Sequence, residues 1–431
     1  MRTIKKTFTS PYNHHMSRPC HHIVTLAIAY LALVATLLML ITLVDTIPYS
    51  AIEGNLRASV DELASEGEKP VHRTRLLTQD NVTDCIMMNI AAGVDHHHPL
   101  KSAMANKFHF NEGGSLFDAT RDLLNGNPVD VQEYARYWHG YQTLLRPLLC
   151  FTDYRGIRLI NYLSLAILGL LCIIFSYKKV SHAFSIALVI GLACVGITYV
   201  PLNIQYTTCY FIMFTAMLTL LLLKPKYLTT SRVCVGFFVL GGLTSYCDLL
   251  TTPIITLGPP LIVFCLMNKP RRAFRVVMLL SLMWLGGYAS IWISKWVLAS
   301  VITGSDIIGD AMANARIRTV GSSTSEEGAT TVSILLTVWQ RLSTKPVFLS
   351  VIIALAALVA AYWRGRQPSR VIRDNAWLLL VAIMPLIWSV VLMQHTYIHF
   401  FFTWRIGLVT IVALIVFFAK TINWQTIIKK S

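Results

Sequence analysis

Ten apolar stretches, each close to the ~20 residues that cross a bilayer as a helix, recur along this chain and leave little choice of architecture. They lie near residues 23–44, 157–176, 182–200, 206–223, 233–248, 253–268, 275–298, 347–363, 376–394 and 400–419. In hydrocarbon every backbone polar group needs a partner inside its own segment, so runs of this length read as helices. The expected fold class is an all-α polytopic membrane protein with about ten transmembrane helices. Only 13% of the residues are charged, against about a quarter in soluble domains.

The connectors alternate in charge. MRTIKK, SYKK, LKPKYLTTSR, NKPRRAFR, WRGRQPSRVIR and the tail IIKKS are basic, and of the 21 acidic residues only Asp374 falls on their side. The positive-inside rule then puts both termini in the cytosol. The formal net charge of +16 becomes a topology signal that calls for no nucleic-acid partner. The expected organisation is a basic N-terminus (1–22), a first span (23–44) kept as an anchor and a large outer loop (45–156). Six spans (157–298), a second outer loop (299–346), three spans (347–419) and a cytosolic tail (420–431) follow. Neither a Walker A sequence nor GxGxxG occurs, which excludes ATP-driven transport by this chain alone. The nine cysteines form no CxxC pair. Cys85 and Cys150 share the large outer loop and are the two that an oxidising compartment could pair.

That loop carries most of the polar chemistry. Ile52, Leu56, Val60 and Leu63 recur at helical spacing, so 52–66 reads as an amphipathic helix along the outer membrane surface, ended by Gly67. Asp80 and Asp84 are four apart and share a face if helical; Asn81-Val82-Thr83 is a sequon. His96, His97 and His98 beside Asp95 read better as a solvated loop than as a metal site, because three consecutive histidines do not converge on one ion. Asp130 reads as an N-cap, with Tyr134, Tyr137, Trp138 and Tyr141 on one helical stripe beyond it. Such a stripe suits sugar stacking or an interfacial belt. The second outer loop is Ser/Thr/Gly-rich, and SILLTVWQRLSTKP after it reads as an interfacial helix.

Four positions at the outer membrane edge stand out. Asp45 directly follows the first span, Asp248 sits at a tight outer turn, and Lys295 lies near the outer end of its span between two tryptophans. Arg405 lies inside the last span, with His395 and His399 just above it. Ionisable groups at such depth are costly and point to function or to a buried partner; for Arg405 the plain alternative is a buried pair with Asp248.

Asp45 after the first span, a large first outer loop opening on a juxtamembrane helix, the carboxylates Asp80 and Asp84 within it, and the cations Lys295 and Arg405 together resemble the GT-C superfamily of integral membrane glycosyltransferases. The acids in QDNVTD are spaced by three residues and form no DxD. The resemblance implies a polyprenyl-phosphate-linked sugar as donor and a cell-envelope glycan or lipid as acceptor. The work would be done on the outer face, with membrane lipids around it, most naturally in a bacterial cytoplasmic membrane. It implies a carboxylate base, Asp80 or Asp84 with Asp45 next, and a lipid-phosphate clamp of Arg405, His395, His399 and Lys295. Asp248, Tyr137 and Trp138 would help hold substrate. No cofactor is assigned, and a divalent metal stays open. A transporter or flippase of lipid-linked glycans, a polysaccharide polymerase or ligase, and a non-catalytic envelope partner remain alternatives.

Overall fold

Apolar runs that satisfy their own backbone dominate the computed structural model, which describes residues 19–71, 77–320 and 346–428. In chain order the helices are α1 (Pro19–Val44), α2 (Tyr49–Glu66), α3 (Asn81–Ala92), α4 (Pro99–Ala105), α5 (Leu116–Asn125) and α6 (Gln142–Leu149). Next come α7 (Tyr154–Lys179), α8 (His182–Cys194), α9 (Ile204–Leu222), α10 (Thr230–Cys247), α11 (Ile254–Asn268), α12 (Ala273–Thr303) and α13 (Ile307–Val320). The chain ends in α14 (Pro346–Gly365), α15 (Ser369–Asn375), α16 (Trp377–Val391), α17 (Met393–Ile398), α18 (Phe400–Thr403), α19 (Gly407–Thr421) and α20 (Trp424–Ile428). The sole sheet among the described residues pairs β1 (Lys107–Phe110) antiparallel with β2 (Asp130–Glu133).

The protein is thus all-helical with membrane-spanning character. Among the described residues five helices are long and apolar enough to cross a bilayer: Ile23–Val44, Tyr154–Lys179, Ile204–Leu222, Ala273–Thr303 and Phe400–Thr421. A sixth forms if α15 and α16, bent by 42°, count as one. Helices at His182–Cys194, Ile254–Asn268 and Ile352–Gly365 are apolar but shorter. The interfacial helix expected over 333–346, apart from Pro346, and the end of the Ser/Thr/Gly-rich loop from residue 321 lie outside the described residues, while the start of that loop ends α12 and forms α13.

The large first loop folds into its own helical layer. Ile52, Leu56, Val60 and Leu63 of α2 are fully buried, as the periodicity predicts, but protein covers them rather than lipid. They pack on Cys85 and Met88 of α3, Leu145 and Leu149 of α6, and Tyr154 and Ile157 of α7. Arg158 pins α2 to α7 through two bonds to Glu66, 2.5 and 2.7 Å. Asn81 of the sequon is buried and donates to Glu66 and to the Gly67 carbonyl.

The helix expected after Asp130 is absent. Residues 130–133 are β2, and the chain then turns through His139, whose φ of 55° is left-handed. The aromatic stripe is therefore broken. Trp138 is buried and donates to the Ile291 carbonyl at 2.6 Å, while Tyr137 stacks near Trp292. His139 is held on both nitrogens: Nε2–H donates to the Tyr134 carbonyl and Nδ1 accepts from the Tyr141 hydroxyl, each 2.8 Å. Burial pushes its pKa down to about 3, so the ring is neutral.

Below this layer, α10 and α12 touch through their backbones. A Cβ on Gly241 would lie 1.9 Å from the Trp284 carbonyl oxygen, and one on Gly287 would lie 1.9 Å from that of Phe238. Glycine is needed for so close a crossing. On the opposite side α8, α16 and α19 pack together, Gly191 of α8 lying against Leu408 and Val412 of α19.

Candidate functional site

The start of α9 organises the polar centre. Its first N–H groups have no intrahelical acceptor, and the buried Asp84 supplies one. Its carboxylate accepts from Ile204 N at 2.8 Å, Gln205 N at 3.3 Å, Asn203 Nδ2 at 3.0 Å and the Tyr154 hydroxyl. Burial raises the Asp84 pKa to about 6, against the opposing pull of these donors. Asp80 caps α3 through Thr83 and accepts from Gln205 Nε2 at 2.8 Å. The two carboxylates of QDNVTD do converge, each bonded to the head of α9.

Asp248 enters from the break between α10 and α11. Residues 248–253 are non-helical and largely buried, with Leu250 at a φ of 63°, a costly backbone conformation for a branched side chain. Asp248 Oδ1 accepts from Thr251 N at 2.8 Å and Thr251 Oγ1 at 2.5 Å, with Cys209 Sγ at 3.4 Å. Among the described residues its buried Oδ2 makes no hydrogen bond of ordinary length, with Tyr288 beside it. Thr251 also reaches the Gln205 carbonyl, 3.4 Å, which joins Asp248 to the Asp80 network.

His395 ties the same segment to α13. Its Nε2 lies 2.9 Å from the Leu250 carbonyl and so carries the proton, leaving Nδ1 to accept from Arg318 Nη1 at 2.6 Å. Burial, then the neighbouring His399 and Arg318, hold the His395 pKa well below the usual histidine value. His399 stacks on Phe402 and is pushed down to about 4 by burial, then by Arg318 and Lys69. Both histidines are neutral at pH 7. His395 positions Arg318, and neither ring adds charge.

Arg405 completes the centre. It is 1% exposed; among the described residues it is in no ion pair and donates to the Phe401 carbonyl at 3.3 Å, while Nε and Nη2 have no hydrogen-bond partner. The guanidinium lies over the ring of Tyr206, 4.5 Å from its centroid, and Tyr206 in turn feels Asp80 and Asp84. The buried Arg405–Asp248 pair weighed from sequence is not formed.

The other candidates lie apart. Asp45 sits 3.8 Å from Arg146, which donates to the carbonyls of Val44, Ala91 and Ile47. Burial, opposed by Arg146 and Lys295, lifts Asp45 to about 7. Lys295 is fully buried, bonded to the carbonyls of Ala103 and Met104 at 2.8 and 3.1 Å and to Asn106 Oδ1 at 2.7 Å. Trp138 belongs to this second cluster, whereas Tyr137 lies at the edge of the first, near Asp248 and Arg318. His98 pairs with Asp95 at 2.8 Å, both exposed, and Cys85 and Cys150 are free thiols. No group of three or more potential metal ligands occurs among the described residues.

Arg318, Gln205, Asn203 and Tyr154 were not singled out in the sequence. The polar pair Asn203 and Gln205 at the head of an apolar run was a usable signal; Arg318, in a polar loop, gave none. Set against models of known families, curated proteins and solved structures, the chain matches none.

Proposed function

We propose that this chain is a membrane glycosyltransferase. It would transfer a sugar from a polyprenyl-phosphate-linked donor to a cell-envelope glycan or lipid on the outer face of a bacterial cytoplasmic membrane. All ten apolar segments would cross, with both termini inside. Arg405 carries this reading: a buried guanidinium outside any ion pair among the described residues, with Nε and Nη2 unengaged there, is suited to a phosphate. Arg318, positioned by His395, is a second cation for the same phosphate.

Asp248, with an unengaged carboxylate oxygen, is the base. The acceptor oxygen bonds to the anomeric carbon as that carbon's bond to the phosphate oxygen breaks. The hydroxyl proton passes to Asp248, and the leaving charge goes to Arg405 and Arg318. Asp84, saturated with donors, holds α9, and Asp80 positions Gln205. This moves the base from Asp80 and Asp84, which the sequence favoured.

The test is transfer by the purified full chain from radiolabelled polyprenyl-phosphate sugars to membrane-lipid acceptors. Asp248→Asn should lower it about 100- to 10,000-fold. A second reading, transport of a lipid-linked glycan, draws on the buried non-helical segment 248–253, a feature of transporter sites. No transfer from any donor, together with vectorial movement in proteoliposomes, would replace the first reading by the second.

A further inference from the structure

At the opposite end of the helices, on the face marked by the basic connectors, lies a cavity of about 1020 Å³. The α11–α12 connection contributes Lys269, Arg271 and Arg272 to its wall, and the first turn of α12 adds Arg275. Arg370 and Arg373 come from α15, and Lys420 from the last turn of α19. Asp374 is the one acid in the lining, and it lies 3.9 Å from Arg370. Among the described residues the other six cations make no ion pair and donate no side-chain hydrogen bond.

Basic residues on this face are expected from topology, but convergence on one cavity is not. Lys179 is bound to the Leu221 carbonyl, 2.7 Å, and Lys226 and Arg232 lie over the ring of Tyr227. Those cations have local partners. The cavity also opens on the first turn of α12, whose backbone N–H groups add positive potential. Its floor is apolar, with Leu266, Trp377 and the exposed Phe274. Cations above an apolar floor, at the ends of helices long enough to cross a bilayer, match a phosphate headgroup with acyl chains attached.

We propose that this cavity binds the headgroup of an anionic phospholipid, preferring one with two phosphates. The site is independent of the sugar-transfer reading.

Full-length protein in detergent, titrated by native mass spectrometry with cardiolipin, phosphatidylglycerol, phosphatidylcholine or inorganic diphosphate, tests it. Cardiolipin should bind saturably, ahead of phosphatidylglycerol and at least tenfold tighter than phosphatidylcholine. The double variant Arg271→Gln/Arg373→Gln, at exposed positions, should weaken cardiolipin about 30-fold at two surface cations. Arg364→Gln, outside the cavity, should change it less than about twofold, because its charge is not at this site. Equal losses in both variants would mean a diffuse positive field and overturn the site. So would diphosphate competing as well as the lipid, which would indicate a soluble polyanion, or the absence of saturable binding.

Discussion

Replacing Arg405 by Met should leave the protein at least as stable as before while removing its function. A buried unpaired cation costs several kcal/mol. Against that, Arg405 has one hydrogen bond of 3.3 Å to the Phe401 carbonyl and a stack over Tyr206 at 4.5 Å. These return about 1 and 1–2 kcal/mol, so a desolvation deficit remains. Met fills similar volume without it, and buried ions replaced in this way gain about 0–4 kcal/mol. The thermal midpoint in detergent should therefore hold or rise. Transfer from a polyprenyl-phosphate sugar should fall about 100- to 1000-fold, the usual loss for one preorganised donor. A midpoint lowered by the equivalent of about 3–5 kcal/mol, typical of a broken buried ion pair, would refute the reasoning. Arg405 would then be a structural cation.

Lys295→Met should behave oppositely. It orphans the Ala103 and Met104 carbonyls and Asn106, so the midpoint should fall by the equivalent of about 1–3 kcal/mol for each acceptor left without a donor; an unchanged midpoint would remove its role as the pin of α4 on α12. For Asp84, burial lifts the folded pKa from 3.8 to about 6. The protonated form is favoured in the folded state, so this group's stabilising contribution is full below the unfolded pKa and lost as pH rises through about 6. The total is about 3 kcal/mol, and Asp84→Asn should erase that slope between pH 4 and 7 in thermal unfolding; the slope persisting intact would count against it. External thiol labelling should reach Cys at position 97 and not at position 178. The reverse pattern would overturn the topology and every assignment built on it.

The large elements were legible because they answer to one rule. Apolar length and interfering charge located α1, α7, α9, α12 and the helix ending at Thr421, and the spacing of Ile52, Leu56, Val60 and Leu63 located α2. What covers α2 was not legible, since an apolar stripe looks the same against lipid or protein. The helix expected after Asp130 failed because β1, far from it in local pattern, captures 130–133 as a strand partner. At the site, residue type drew attention to Asp80, Asp84 and Asp248, which join through Gln205 and Thr251, to His395, which reaches the same segment at Leu250, and to His399 and Arg405, which adjoin it through ring contacts. Type alone could not separate Lys295 and Asp45, whose neighbours Asn106 and Arg146 are brought in by the tertiary fold.

The glycine crossing of α10 and α12 has a mechanical consequence. With Gly241 and Gly287 seated on opposing carbonyls, neither helix can slide or tilt against the other without collision, so the pair moves as one strut. Asp248 caps the end of α10, while Arg405 lies in the turn leading into α19, which packs on α8 and α16. Trp388 of α16 in turn packs edge-on against Trp284 and Tyr288 of α12, so the strut braces the neighbouring helices, and the carboxylate and the guanidinium are held on one frame.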